Sequence, residues 1–215
     1  MGKLSDKEAE ALMKKWGIPV AMHYLAKSEN EAADSAKKLG FPVVLKVSSE
    51  QVLHKTDIGA VQAGLHNPLD VIQAYRQIMK NVRKHYPKAR IDGMMVQEMA
   101  SGYETIVGAK QDPQFGPVLM FGLGGIFVEF LKDVTFRIVP IERRDAREMI
   151  SEIRGYKILT GVRGMKPANL KALEDSLIKI SDNLWKTKRI KELDINPLFV
   201  NENGVKAVDV RVIVG

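Results

Sequence analysis

A lysine is the only charge in Pro42-Val43-Val44-Leu45-Lys46-Val47, a run whose apolar, β-branched character reads as a buried strand. Burying an ammonium group there is costly unless an anion or a carboxylate lies beside it. Lys46 therefore either meets an anionic ligand such as phosphate or snorkels to water from a sheet edge. A second candidate is Val96-Gln97-Glu98-Met99-Ala100-Ser101-Gly102-Tyr103-Glu104. A strand that ends in such a polar-apolar hinge can offer backbone groups to an adenine edge. The Glu104 carboxylate can accept hydrogen bonds from both hydroxyls of a ribose. The plainer alternative is two strands joined at Ser101-Gly102 with solvated glutamates.

Three further features carry possible chemistry. In Phe121-Gly122-Leu123-Gly124-Gly125-Ile126-Phe127-Val128-Glu129 the glycines could let backbone N–H groups close on an oxyanion, but no Gly-x-x-x-x-Gly-Lys-[Ser/Thr] loop occurs and a tight turn explains the cluster equally well. In Glu192-Leu193-Asp194-Ile195-Asn196-Pro197, alternation puts Glu192, Asp194 and Asn196 on one strand face, while Val208-Asp209-Val210-Arg211 puts Asp209 and Arg211 on one face of the next strand. Oxygen ligands can converge there, as Mg²⁺ requires, or the residues form a solvated outer face. Of the four histidines none has the His-Glu-x-x-His spacing, so zinc is not expected. His54 lies among Lys55, Thr56, Asp57 and Gly59, where an imidazole could receive or hand on a phosphoryl group, or serve only as a hydrogen-bonded loop residue.

The elements that must position these residues follow from caps and periodicity. Ser5 with Glu8 forms a capping box for a short helix that Gly17 and Pro19 stop, and Ser28 with Glu31 repeats the signal for a helix to about Leu39. Strands are expected at 20–25, 41–47 and 60–65, and Asn67-Pro68 starts a helix reaching His85. From Ile91 the texture changes to strands at 91–99, 104–110, 117–121, 126–131 and 134–141. Helices follow at 144–153 and 167–186, then a hairpin of 192–200 with 205–214 about Asn203-Gly204. This order argues an α+β protein of two small lobes, 1–90 and 91–215, with a joint near 87–92 and a ligand cleft between them.

The 215 residues are 45% hydrophobic and 27% charged, enough to bury one sizeable core or two small ones, which excludes wholesale disorder. A net charge of +7 suits an anionic ligand, yet no basic run with interleaved aromatics supports nucleic-acid binding. Zero cysteines exclude disulfides, thiolate nucleophiles and Cys-ligated metal. No apolar run approaches the ~18 residues of a membrane span, and Met1 to Lys7 lacks the apolar core of a secretory signal, so a soluble, cytoplasmic protein is expected.

Taken together, Gly17-Ile18-Pro19-Val20, Pro42 to Val47, Leu53-His54-Lys55-Thr56-Asp57-Ile58-Gly59, Gln97 through Glu104, Gly122 through Glu129, Gly161-Val162-Arg163-Gly164 and Glu192 through Pro197 resemble an ATP-grasp domain. The resemblance is to the beta subunits of ADP-forming acetyl-CoA synthetases, relatives of succinyl-CoA synthetase, and it covers nearly the whole chain without a departure from the pattern. It implies an ATP-grasp fold with the nucleotide in the cleft between two α/β lobes. The implied reaction is acyl-CoA, phosphate and ADP giving acid, CoA and ATP, with the phosphoryl group carried on histidine. It further implies that Lys46 contacts phosphates, that Gln97, Glu98 and Met99 line the adenine and that Glu104 holds the ribose. Asn196 and Asp209 would ligate Mg²⁺. A phosphohistidine on another subunit would have to reach that nucleotide, and the loop of His54 begins just beyond the Lys46 strand on such a route, so His54 either relays the phosphoryl group to ADP or only hydrogen-bonds and steers the incoming loop. The CoA-binding part would belong to an alpha subunit, giving a heterotetramer of two alpha and two beta chains. The competing functions are an ATP-grasp carboxylate–amine ligase, for which so short a chain leaves little room for a substrate domain, and a nucleotide-sensing subunit without turnover.

Overall fold

The computed structural model describes residues 2–49, 51–52, 55–125, 132–162, 164 and 166–215; His54 and the strand expected over 126–131 lie outside the described residues. In chain order the first elements are β1 (Gly2–Lys3), α1 (Asp6–Lys15), β2 (His23–Ala26), α2 (Glu29–Leu39), β3 (Val43–Ser48), β4 (Val61–Leu65), α3 (Pro68–His85) and β5 (Gly93–Glu98). They are followed by β6 (Tyr103–Asp112), β7 (Gly116–Leu123), β8 (Val134–Ile138), α4 (Arg143–Glu152), α5 (Tyr156–Leu159), α6 (Leu170–Lys186), β9 (Ile190–Asn201), β10 (Gly204–Ala207) and β11 (Val210–Val214).

Local chemistry sets the helix starts. The Ser5 backbone N–H donates to Glu8 Oε2 at 2.9 Å while the Glu8 N–H donates back to Ser5 Oγ, so two N–H groups that the helix leaves over are satisfied reciprocally. Ser28 accepts from the Glu31 N–H at 3.2 Å, and Asn67 accepts from the Asp70 N–H at 2.9 Å with Pro68 in the first turn of α3.

The chain forms two units, residues 21–99 and residues 1–20 with 100–215. In the smaller one β2-β5-β3-β4 form an antiparallel sheet. Val43, Leu45 and Val47 alternate onto its inner face with Met94 and Val96, and pack against Ala32 and Ala36 of α2 and Val71, Ala74, Ile78 and Val82 of α3. Period-two alternation sends Lys46 to the opposite face. Because β3 is paired on both sides, to β4 and β5, Lys46 lies in an interior strand, not at a sheet edge.

In the larger unit the sheet order is β1-β11-β9-β6-β7-β8, with β10 also paired to β9. Its inner face carries Val107, Leu119, Phe121, Leu193 and Ile195 into one core with α1, α4 and α6. The division differs from the border drawn at residues 90 and 91 for two reasons. Ala9, Met13, Trp16, Ile18 and Val20 are buried in the larger unit's core, and β5 pairs with both β2 and β3, so the chain leaves the smaller sheet only after Glu98.

The strand expected over 205–214 is also interrupted. β10 pairs with the C-terminal half of β9 and β11 with its N-terminal half, leaving Val208 and Asp209 between them. The cause lies in β9, where Thr105 faces Leu198 but Val107 faces Ile195, so β9 spends one residue more than β6 at Asn196-Pro197. The inward positions accordingly change parity, from Leu193 and Ile195 to Leu198 and Val200. Thr105, fully buried, donates its hydroxyl to the Leu198 carbonyl at 2.6 Å and secures the bulge. Replacing Thr105 by Val keeps the shape and removes the donor. The larger unit should lose ~1–3 kcal/mol, read as a lower denaturation midpoint, whereas an unchanged midpoint would mean that the hydroxyl contributes nothing to the bulge.

Candidate functional site

In the larger unit, Glu104 sits on the outward face of β6, exposed, opposite Phe199 of β9. The end of β7 turns back over it. The Gly124 N–H donates to the Glu104 carbonyl at 2.8 Å, and a Cβ at Gly124 would lie 3.1 Å from the Glu104 Cβ. At Gly125, with φ +61°, a Cβ would stand 3.3 Å from the carboxylate oxygen Oε2. Two glycines thus let a backbone turn lie directly against the acid, where an added Cβ would crowd it by a few tenths of an ångström and one position needs a left-handed conformation. The turn and Glu104 border a cavity of about 390 Å³ whose remaining wall includes Gly102, Tyr103, Leu123 and Ile158. One carboxylate at the rim of an apolar wall suits a ligand with a flat apolar part and neighbouring hydroxyl donors.

On the same outward face the bulge of β9 meets the break between β10 and β11. The Asn196 N–H donates to the Asp209 carbonyl at 3.1 Å, and the Val208 N–H donates to the Pro197 carbonyl at 3.1 Å, so Asn196 and Asp209 lie side by side, both exposed. Asp194 is exposed on β9 opposite Arg211 of β11. Partial loss of hydration among its neighbours pushes the Asp194 carboxyl above the ordinary aspartate range, while Arg211 pulls it the other way. Asn196 and Asp209 supply hard oxygen donors, one neutral and one anionic. Among the described residues no group of three or more His, Asp or Glu side chains could hold a metal ion. A magnesium ion fits this donor set, because it dehydrates reluctantly and takes most of its ligands from water and phosphate oxygens.

In the smaller unit Lys46 is half-buried on β3, opposite Met95 of β5 and Val61 of β4, and Gln97 is opposite Val44. Since Val44 and Lys46 share a face, Lys46 and Gln97 share the side of the sheet away from α2 and α3, with Gln97 only 2% exposed. Glu98 behaves differently. Its Oε1 accepts from the Met22 N–H at 2.7 Å and its own N–H donates to the Met22 carbonyl at 2.9 Å, a ring that holds the chain just before β2. The Met99 N–H faces the Pro42 carbonyl at 3.4 Å, and the Met99 side chain is exposed.

The structure therefore brings Asn196 together with Asp209, and Lys46 onto one face with Gln97. It also joins Gly124 and Gly125 to Glu104, a relation the sequence did not reveal. The glycine cluster was visible, but nothing in a linear spacing of about twenty residues says that it folds back onto one particular acid. Leu123 and Ile158, which wall the same cavity, give no signal beyond ordinary core periodicity. Among the described residues no helix is long and apolar enough to cross a membrane.

The chain matches the family model described as an ATP-grasp domain over residues 1–214. It is 46% identical over 211 residues to the acetate–CoA ligase (ADP-forming) I subunit beta of Pyrococcus furiosus, covering 98% of this chain and 91% of that subunit. It is 45% identical to the acetate–CoA ligase (ADP-forming) I of Archaeoglobus fulgidus, of whose length it spans 31%. Among solved structures, acetyl-coenzyme A synthetase 1 of Candidatus Korarchaeum cryptofilum, in complex with coenzyme A and Ca-AMPCP, superposes with a TM-score of 0.91 at 46% identity, over 99% of this chain and 93% of that one. The same protein with coenzyme A and Mg-AMPPCP, its phosphohistidine segment pointing towards the nucleotide binding site, gives 0.84 at 42% identity, with coverage of 99% and 93%. The resemblance read from the sequence holds: this chain belongs to the ATP-grasp domain family, among the beta subunits of the ADP-forming acetate–CoA ligases.

Proposed function

We propose that this chain is the nucleotide-binding beta subunit of a cytoplasmic ADP-forming acyl-CoA synthetase, moving a phosphoryl group between a phosphohistidine and ADP in the reaction acyl-CoA + ADP + phosphate = acid + CoA + ATP. The observation that carries this reading is the match along 91% of a separate beta subunit at 46% identity. We propose an alpha subunit as the partner that binds CoA, with two copies of each chain in the assembly.

In this reading Lys46 neutralises phosphate oxygens, Gln97, Glu98 and Met99 border the adenine, and Glu104 accepts from the ribose hydroxyls beside the Gly124-Gly125 turn. Asn196 and Asp209 hold Mg²⁺, which when bound neutralises charge on the phosphate oxygens. Phosphoryl transfer depends mainly on positioning and charge neutralisation, so the chain needs cations and aligned acceptors more than an attacking side chain on ADP. His54 is proposed as the relay: its ring nitrogen takes the phosphoryl group from the partner's phosphohistidine, one N–P bond breaking as another forms. A terminal oxygen of ADP then displaces the imidazole to give ATP.

Four outcomes are expected. Glu104→Ala removes the acceptors of the ribose hydroxyls and should weaken Mg–ADP binding by ~1–3 kcal/mol, and calorimetry giving equal affinity would remove Glu104 from the site. Asp209→Asn takes away the one negative charge of the metal pair, so the Mg²⁺ dependence of turnover should move to higher concentration; a superimposable titration would sink that assignment. This chain alone should make no ATP from acyl-CoA, ADP and labelled phosphate, and should do so once the alpha subunit is added. Without ADP the reconstituted enzyme should carry acid-labile, alkali-stable label on this chain, lost in His54→Ala together with ATP formation while the alpha subunit still becomes labelled. ATP formation by the chain alone contradicts the division of labour, and a His54→Ala enzyme of normal rate removes the relay.

A further inference from the structure

Behind the cavity beside Glu104 lies a buried acid that the reaction scheme above does not use. Asp133, just before β8, is 6% exposed, and both of its oxygens are engaged by backbone: Oδ1 accepts from the Arg154 N–H at 2.7 Å and Oδ2 from the Gly155 N–H at 2.8 Å. The acid therefore fastens the turn between α4 and α5. That turn presses on the cavity wall, since a Cβ at Gly155 would fall 2.2 Å from Leu123 Cδ1. From Gly155 the chain enters α5, the Ile158 N–H donating to the Gly155 carbonyl at 2.8 Å, and Ile158 and Leu123 both border the cavity that Glu104 and the glycine turn close. On its other side Asp133 abuts β7, where a Cβ at Gly122 would meet the Asp133 carbonyl oxygen at 2.5 Å.

We propose that Asp133 is a positioning residue for the nucleotide cavity: through two backbone hydrogen bonds it holds the Leu123 and Ile158 wall at the distance that lets Glu104 and the glycine turn grip the ligand. The proposal rests on the nucleotide reading above. An Asn in its place keeps the shape, but only one of its two terminal atoms accepts a hydrogen bond, so one of the two backbone N–H groups loses its acceptor. The wall then relaxes away from the turn without removal of any group that touches the nucleotide.

The test compares three variants of the full chain by Mg–ADP calorimetry and thermal melting, then by steady-state kinetics with the alpha subunit. Asp133→Asn is expected to raise the Kd for Mg–ADP about tenfold, and the KM for ADP with it, while kcat is kept. Ser181→Ala is the control. Ser181 Oγ accepts from the buried Ile141 N–H at 2.9 Å, so that variant also strips an acceptor from a buried backbone N–H, and it should melt lower yet bind Mg–ADP as the wild type does. Gly155→Ala disturbs the same wall while keeping the carboxylate, although its Cβ would also stand 3.2 Å from Asp133 Oδ2. The atom it meets first is the tip of a leucine side chain, which can swing aside, so the variant should fold and also bind Mg–ADP more weakly. Wild-type affinity in both Asp133→Asn and Gly155→Ala overturns the proposal, as does an equal loss of affinity in Ser181→Ala. A wild-type chain that binds no Mg–ADP overturns the nucleotide reading itself, and this proposal with it.

Discussion

One surplus residue in β9 organises the larger unit. A strand that advances three positions, from Ile195 to Leu198, while its neighbour advances two, from Val107 to Thr105, cannot keep a regular ladder, and the excess is taken up at Asn196-Pro197. Three consequences come from that single misfit. The buried positions of β9 change parity, so both halves of a twelve-residue strand present apolar side chains to the same core. The returning chain breaks into β10 and β11, each matched to one half of β9. The break leaves Asp209 next to Asn196, joined by a backbone hydrogen bond of 3.1 Å. A regular hairpin would have hidden the same backbone groups in ladder bonds and left no notch between oxygen-bearing side chains.

The other half of the site depends on side chains that are missing. Gly124 and Gly125 have no Cβ, so the end of β7 approaches Glu104 to van der Waals distance. Under the proposed reading close approach matters, because a carboxylate accepting from two hydroxyls is best held in one orientation before the ligand arrives, or ordering it subtracts from affinity. The glycine turn itself is supported by Leu123, Leu123 by the turn at Gly155, and that turn by the carboxylate of Asp133. The chain of support is made almost entirely of backbone hydrogen bonds and steric contact, which resist displacement more than flexible surface ion pairs do.

Much of this was readable from the amino acids, and the parts that were not share a cause. Helix starts were legible because capping is a contact between residues three apart, as Ser5 with Glu8, Ser28 with Glu31 and Asn67 with Asp70 demonstrate. The Lys46 strand was legible because a short apolar, β-branched run favours a buried strand. Its interior place in the sheet was not, since strand order depends on which distant partners pair. The same holds for the border between units: β5 reads as the first of a run of strands, and only its pairing with β2 and β3 assigns it to the smaller sheet. Asp133 left no trace in the sequence because its partners are backbone N–H groups more than twenty positions away, and any residue type has an N–H.

The distribution of charge sharpens the reading of the site. The whole chain carries +7, and the outward face of the larger sheet mixes signs: Lys206 shares the row of Glu104 and Phe199, Lys110 lies opposite Glu192, and Arg211 lies across from Asp194, with Asp209 nearby. A polyphosphate approaching Asp194 and Asp209 would meet like charges, an unfavourable arrangement wherever water is partly displaced. Under the proposed reading two of the acids are spared that conflict, because Glu104 would address uncharged hydroxyl donors and Asp209, with Asn196, would hold a cation. Under the same proposed reading, binding of nucleotide and metal would be mutually dependent: Asn196 and Asp209 alone leave the metal short of oxygen ligands without the phosphates, and the phosphates would face an uncompensated carboxylate without the metal.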